Sequence, residues 1–341
     1  MTTTRQQTQE MMKQQTWGCE LEYYRLSLEG GAKVLANYFH TTYRRTRLDH
    51  DGTSLNAYEV FDPRGRRWLV VHDGSLSGDD SSGELVTPVM RYEDIEEYQA
   101  IVRAFREAGA KSDYTHGGCG VHVHIGADIG MEGGHTPRSL RNLSNLVKKV
   151  EPLLINAIGI SQDRMHGYCA YTQQTNPDFL RRLNRIRPRT MEQLKTIWYE
   201  GNGVDEIFCA NGNHYNPSRY HFLNLHPIFL KTLAGEPEHA TAEFRFFELH
   251  GQIHAGYIKS FIQLALTMNA YSKVVARISP DPINYSHNPK FAMRNWLNNM
   301  GLIGDEFKTI HKLLTKRLYG DASYRNGRPR PDVLDDLYLA E

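Results

Sequence analysis

Trp17-Gly18-Cys19-Glu20-Leu21-Glu22-Tyr23, "WGCELEY", sets two carboxylates two residues apart in an otherwise apolar stretch. Read as a strand, its side chains alternate between faces, so Cys19, Leu21 and Tyr23 share one face and Glu20 and Glu22 the other. The two glutamate Cα atoms would then stand about 7 Å apart along the strand. Taken alone, the stretch fits a half-buried strand that shows its acids to water, and it also fits a face built to hold a metal ion. The rest of the chain decides between the two.

Three further stretches carry the same pattern. In Gly118-Cys119-Gly120-Val121-His122-Val123-His124-Ile125, the two histidines share one face and the aliphatic residues the other. Lone strand histidines are usually structural, but an H-x-H pair brings two metal-capable nitrogens to one side. In Thr241-Ala242-Glu243-Phe244-Arg245-Phe246, Glu243 and Arg245 point one way. They read as a surface ion pair worth roughly 0–1 kcal/mol, or as a metal ligand beside a fork of donors for phosphate or carboxylate. "HDGSL" followed by "SSGELVTP" supplies Asp73, Ser75 and Glu84; Asp73-Gly74 reads as a turn, and Pro88 ends the strand of Glu84 or pushes it to an edge.

No one of these motifs is specific, but together they bring Glu20, Glu22, Glu84, His122 and Glu243 onto apolar-backed strands. Four acids crowded with a histidine would repel and lose hydration unless cations were present. Carboxylate-rich sets suit Mg²⁺ or Mn²⁺. Two such ions about 3.5–4 Å apart would clamp a phosphoryl group in transfer. The four cysteines, Cys19, Cys119, Cys169 and Cys209, form no CxxC pair, which disfavours a zinc site and fits free thiols in a reducing cytosol.

Forty basic against thirty-nine acidic residues in a chain of 341 argue against a general nucleic-acid or membrane-surface binder. The apolar stretch 253–275 is interrupted by His254, Lys259, Gln263, Asn269 and Lys273, so it reads as an amphipathic helix and not a membrane span. A soluble, cytoplasmic protein is expected. Strands are expected at 17–26, 67–72, 84–89, 120–126, 220–225 and 241–249. Helices are expected at 92–108, from Thr136-Pro137 to about Leu154, at 191–199, 252–277 and 304–317. The long loops 49–56, 74–83, 126–135 and 200–216 are candidates for functional lids. The irregular order of these elements favours an α+β domain over a parallel α/β one. Three parts follow: a disordered lead at 1–16, a catalytic domain at 17–279, and a helical appendage with a polar tail at 280–341.

In this order, "GCELE", "DGSL…GELVTP", "CGVHVHI", "YHFLNL" and "TAEFRFFELHG" resemble the amidoligase family, a relative of the glutamate–cysteine ligases and, more distantly, of glutamine synthetase. The resemblance spans Trp17 to about Val275. It implies a glutamine synthetase-like catalytic domain in which a curved, largely antiparallel sheet flanked by helices lines a funnel for ATP and divalent metal. Carried onto this chain, it implies Glu20, Glu22, Glu84, His122 and Glu243 as metal ligands. Arg245 becomes the phosphate-facing catalytic arginine, with His124 a catalytic group nearer the substrate. Arg164 in "SQDRMHGYC", with Tyr220 and Asn224 in "RYHFLNL", joins Arg245 as nucleotide- or substrate-binding. The stretch 44–67 and the tail after 280 match nothing in the family pattern.

The implied reaction is ATP-dependent joining of a carboxylate to an amine through an acyl phosphate, either substrate being one that a peptide or protein could carry. The chain has no GxxxxGK[ST] or GxGxxG, so nucleotide binding would rest on metals and the sheet. A metal-dependent hydrolase and a non-catalytic nucleotide-binding relative are the alternatives. The basic stretch Arg181–Arg189 reads as a solvated helix face, or as a grip on phosphate or an anionic substrate; with no interleaved aromatics, nucleic acid is its weakest partner. Oligomeric state stays open.

Overall fold

Strand-forming runs with one apolar face build a single open sheet in the computed structural model, which describes residues 2–48, 54–73, 76, 81–112, 119–166, 177–201, 216–285 and 287–327. Ser75, Gly118, Cys169, Cys209, most of the proposed lids at 49–56, 74–83 and 200–216, and the tail from 328 lie outside the described residues. Among these residues the order is α1 (Thr4–Gln14), β1 (Trp17–Tyr24), α2 (Leu28–Phe39), β2 (Tyr43–Leu48), β3 (Ser54–Phe61), β4 (Arg67–Val71), β5 (Ser82–Val86), α3 (Ile95–Glu107) and β6 (Cys119–Gly126). There follow α4 (Pro137–Ile158), α5 (Gln162–His166), α6 (Pro177–Ile186), α7 (Met191–Gly201), β7 (Leu223–Asn224), α8 (His226–Leu233), β8 (Thr241–Leu249), α9 (Ala255–Val274), α10 (Pro289–Asn299) and α11 (Lys308–Thr315). The strands run β2-β3-β4-β5-β1-β6-β8-β7, every neighbouring pair antiparallel. The fold is α+β, a helix-flanked antiparallel sheet.

One face of the sheet is the core. Cys19, Leu21 and Tyr23 of β1, Val121, Val123 and Ile125 of β6, and Phe244 and Phe247 of β8 are all buried there. Helices α2 and α9 pack on this face, α3 packs against both, and α4 packs in turn on α9. Phe247 stacks on Phe261 of α9 at 4.5 Å between centroids, and each such ring removes enough apolar surface to contribute about 1.5–3 kcal/mol. Helix α4 starts where the sequence predicts: the Thr136 side chain accepts from Ser139 N, Pro137 takes the first turn, and Gly159 closes the helix in the left-handed region at φ 78°.

Three expectations need correcting. Residues 1–16 are not a disordered lead: Thr4–Gln14 is a helix whose Thr3–Gln6 capping box starts it and whose Thr8 and Met12 are buried. The segment is polar overall, yet Thr267 Oγ1 donates to Met12 Sδ at 2.9 Å and Gln15 Nε2 to Leu266 O at 2.9 Å, which docks it on α9. The unplaced stretch 44–67 carries β2 and β3; buried Glu59 holds them to β4 by accepting from Arg44 and, at 2.6 Å, from Arg67 Nε. The strand expected at 220–225 shrinks to Leu223–Asn224. Pro88 ends β5 without moving it to an edge, since β5 lies between β4 and β1. No helix among the described residues is long and apolar enough to cross a membrane.

Candidate active site

The other face of the sheet gathers polar groups by register. Cross-strand partners share a face and stand close together. Glu22 of β1 lies opposite Glu84 of β5, and Glu20 of β1 lies opposite His122 of β6. One step further across, His124 of β6 lies opposite Glu243 of β8. Alternation along β1 and β6 and antiparallel pairing across four strands thus bring these six side chains onto one patch. The β6–β8 register shifts so that Arg245 and Phe246 together oppose His122. This extra residue behaves as a bulge: it lets Phe244 and Phe247 both face the core and returns Glu248, opposite Gly120, to the polar face.

Two groups of ligand atoms form, Glu20–His124–Glu243 and Glu20–Glu84–His122, each with its atoms within 4.8 Å of one another and Glu20 shared. His124 Nε2 lies 3.1 Å from Glu20 Oε1 and 3.9 Å from Glu243 Oε1. His122 Nδ1 lies 2.8 Å from Glu20 Oε2, while its Nε2 is 3.1 Å from an Arg164 terminal nitrogen. An arginine can only donate, so His122 Nε2 accepts and the ring proton sits on Nδ1, donated to Glu20. The same Arg164 nitrogen also donates to Arg245 O at 2.9 Å.

The electrostatics diverge across the cluster. Burial and then the charges of Glu20, Asp73 and Glu22 push the Glu84 carboxyl well above the usual range. Burial also opposes ionisation of Glu20, but the two imidazoles outweigh it and hold that carboxyl well below its ordinary value. Glu243 falls to about 2, because the Arg245 guanidinium and both histidines outweigh its burial. Burial and Arg245 lower His122, whereas the Glu20 and Glu243 charges overcome burial and raise His124.

Of the residues expected from sequence, Glu20, Glu84, His122, His124, Glu243, Arg245 and Arg164 come together. Glu22 joins them but stands outside both ligand groups, where its carboxylate accepts from Gly120 N and lies 3.9 Å from His122 Nε2. Asn224 reaches the cluster through Glu243, donating to its Oε2 at 2.6 Å. Tyr220 neither lines the cleft nor belongs to either ligand group; the guanidinium of Arg219, which does line the cleft, lies over its ring at 6.0 Å. That cleft, of about 600 Å³, is walled by Glu20, His124 and Glu243 at one end and by Trp17, Pro88 and Leu230 elsewhere. Its size is that of a small-molecule pocket. Sequence reasoning missed Thr87, Thr241 and His226, which also line it; the first two stand inside the quoted motifs and the third directly after one. It also missed Gly120. A Cβ there would sit 2.5 Å from an Arg164 guanidinium nitrogen and 2.6 Å from Glu22 Oε1, so only glycine lets both approach the strand.

The α+β fold thus carries an acid- and imidazole-lined face, with two groups of side chains whose atoms could hold a metal ion, beside a cleft. The chain belongs to the family described as "putative amidoligase enzyme", whose pattern matches residues 13–269. Among solved structures it is similar to a bifunctional glutathione synthetase from Pasteurella multocida, with 13% identity and a TM-score of 0.45, over 92% of this chain and 48% of that one. This chain therefore spans about half the length of that protein. No curated protein sequence matches the chain.

Proposed function

We propose that the protein is an ATP-dependent carboxylate–amine ligase whose metal ligands are Glu20, Glu84, His122 and Glu243, with Glu22 supporting them. Family membership supports the ligase chemistry. The observation that carries the metal reading is the group Glu20–Glu84–His122, with Glu243 brought beside it by the second group, Glu20–His124–Glu243, whose imidazole is kept here for proton transfer. Carboxylate oxygens with few imidazoles suit Mg²⁺ or Mn²⁺, and a cation beside Glu84 would offset both its burial and the neighbouring charges of Glu20, Asp73 and Glu22, which push its carboxyl up. Bound there, divalent ions supply neutralisation of phosphate oxygens during transfer.

The chain's own residues do the rest. Arg245 and Arg164 set two guanidiniums beside the cluster, able to grip phosphate oxygens. Asn224 orients Glu243. Trp17, Pro88 and Leu230 give the cleft apolar surface, and a substrate that displaced water there would strengthen these interactions. In the reaction a substrate carboxylate oxygen bonds to the γ-phosphorus of ATP as the bond to the β–γ bridging oxygen breaks, releasing ADP. The amine nitrogen then bonds to the acyl carbon, the carbon–oxygen bond to phosphate breaks, and phosphate leaves. The amine sheds a proton, which we assign to His124 at the cleft wall.

ADP release tests this reading. Screened against pools of carboxylates and amines with Mg²⁺, the protein should release ADP only when both an acid and an amine are present. Turnover of an amide or ester without nucleotide would instead make it a hydrolase.

A further inference from the structure

Four buried residues, one from each of four elements, are joined by three hydrogen bonds in series that end on Glu243. Tyr199 of α7, Asn224 of β7, His226 at the start of α8 and Glu243 of β8 are each no more than 2% exposed. Tyr199 Oη and His226 Nδ1 share a hydrogen bond at 2.8 Å, and Phe229 packs on the Tyr199 ring at 5.8 Å between centroids. His226 N donates to Asn224 Oδ1 at 2.9 Å, and Asn224 Nδ2 donates to Glu243 Oε2 at 2.6 Å. Strand register sets the last contact, since Asn224 lies directly opposite Glu243.

The chemistry of the partners fixes the direction of the series. A backbone N–H can only donate, so it holds the Asn224 amide oxygen toward residue 226 and turns the amide nitrogen to Glu243. Leu225, before the first turn of α8, supplies no side-chain cap, and the Asn224 oxygen takes the N–H of the next residue instead. Asparagine suits this place because one planar group carries both an acceptor and a donor; Asn224→Asp would set a second carboxylate against Glu243. With Oε2 held by Asn224, Glu243 Oε1 faces the cluster, 3.8 Å from His122 Nδ1 and 3.9 Å from His124 Nε2, and pairs with Arg245. Tyr199 acts at the far end. Its bond to the His226 ring fixes the residue whose N–H orients Asn224. Groups that hold a ligating side chain in this way govern metal affinity without touching the ion.

We propose that Tyr199, His226 and Asn224 are positioning residues for the metal, which hold Glu243 with Oε1 turned toward the ion; this rests on the metal reading above. Helix α7 thereby belongs to the site, although it carries none of the family motifs.

Isothermal titration of Mn²⁺ into the protein, with thermal melts in parallel, tests this. The wild type should bind Mn²⁺, and Glu20→Gln should not. Asn224→Ala should weaken binding about tenfold, and Tyr199→Phe, which removes one hydroxyl, about threefold. Because Tyr199 acts through Asn224, the double variant Tyr199→Phe/Asn224→Ala should bind no more weakly than Asn224→Ala alone. Met12→Ala, destabilised at α1, should bind as the wild type does, which separates positioning from a general loss of stability. Wild-type affinity in Tyr199→Phe, additive losses in the double variant, or equal weakening in Met12→Ala overturns the inference and leaves the metal reading standing. No binding by the wild type, or undiminished binding by Glu20→Gln, overturns the metal reading and the inference with it.

Discussion

Gly120→Ala probes how tightly the candidate site is assembled. On an ordinary strand the change would be mild or stabilising, since alanine narrows the unfolded ensemble by about 0.4–1 kcal/mol. Here the new methyl would meet the Arg164 guanidinium at 2.5 Å and Glu22 Oε1 at 2.6 Å. Both contacts are side-chain ends, so the fold adapts by moving them while the backbone holds. The cost is then that of their bonds: Arg164 gives up Arg245 O and His122 Nε2, and Glu22 gives up Gly120 N. With charged hydrogen bonds worth about 1.5–3 kcal/mol and partial recovery by water, a net loss of about 2 kcal/mol follows. Thermal unfolding followed by circular dichroism should show the midpoint fall by about 3 °C for a chain of this length. The decisive comparison adds Arg164→Ala. Shortening the arginine vacates the space, so the double variant should be more stable than the sum of the singles by about 1 kcal/mol or more. A Gly120→Ala protein that melts at or above wild type, or strict additivity with Arg164→Ala, would refute the close approach.

Two further outcomes follow from the packing and the buried histidines. Met12→Ala should lose about 2–4 kcal/mol, because Met12 is fully buried under α9; an unchanged urea midpoint would mean that α1 does not dock. Burial and then the Lys273 charge hold His135 down at about 3, and burial holds His221 at about 4. Between those values and about 6.5 the unfolded chain binds protons that the folded chain refuses, so stability rises with pH through this window and is lost on acidification. At pH 5 each histidine should remove about 2 kcal/mol relative to pH 7. His135→Gln should therefore shrink the drop in urea stability between pH 7 and 5 by about that amount, and an undiminished drop would contradict the assignment.

The polar face was legible because alternation is a local signal. Glu20, Glu22, His122, His124, Glu243 and Arg245 each stand two residues from a like neighbour on an apolar-backed strand, and the sheet needs only register to unite them. The register itself is long-range and left no trace in the sequence, so the order β5-β1-β6-β8 and the sharing of Glu20 had to come from the structure. The missed strands fail the apolar test for a physical reason. In "YRRTRL" the arginines at 44, 45 and 47 mask the strand pattern, and what holds the hairpin is buried Glu59 binding Arg44 and Arg67 across strands. Helix α2 carries Gly30-Gly31, a pair that ordinarily marks turns and so weakens a helical pattern. A Cβ at Gly31 would meet Tyr23 Oη at 2.8 Å, so that glycine serves helix–sheet packing. Tyr220 was carried over from a motif, and its ring lies beneath the guanidinium of Arg219, which lines the cleft.

The most direct test of a metal–nucleotide site is thermal unfolding with Mg²⁺, with ATP, with both and with neither, on wild type and Glu20→Gln. A ligand at a hundred times its dissociation constant stabilises the fold by about 2.7 kcal/mol, a rise of several degrees for a chain of this size. The wild type should shift fully only with Mg²⁺ and ATP together, and Glu20→Gln, which weakens both ligand groups at once, should not shift. A full shift with Mg²⁺ alone to which ATP adds nothing, or an equal shift in Glu20→Gln, would contradict the account.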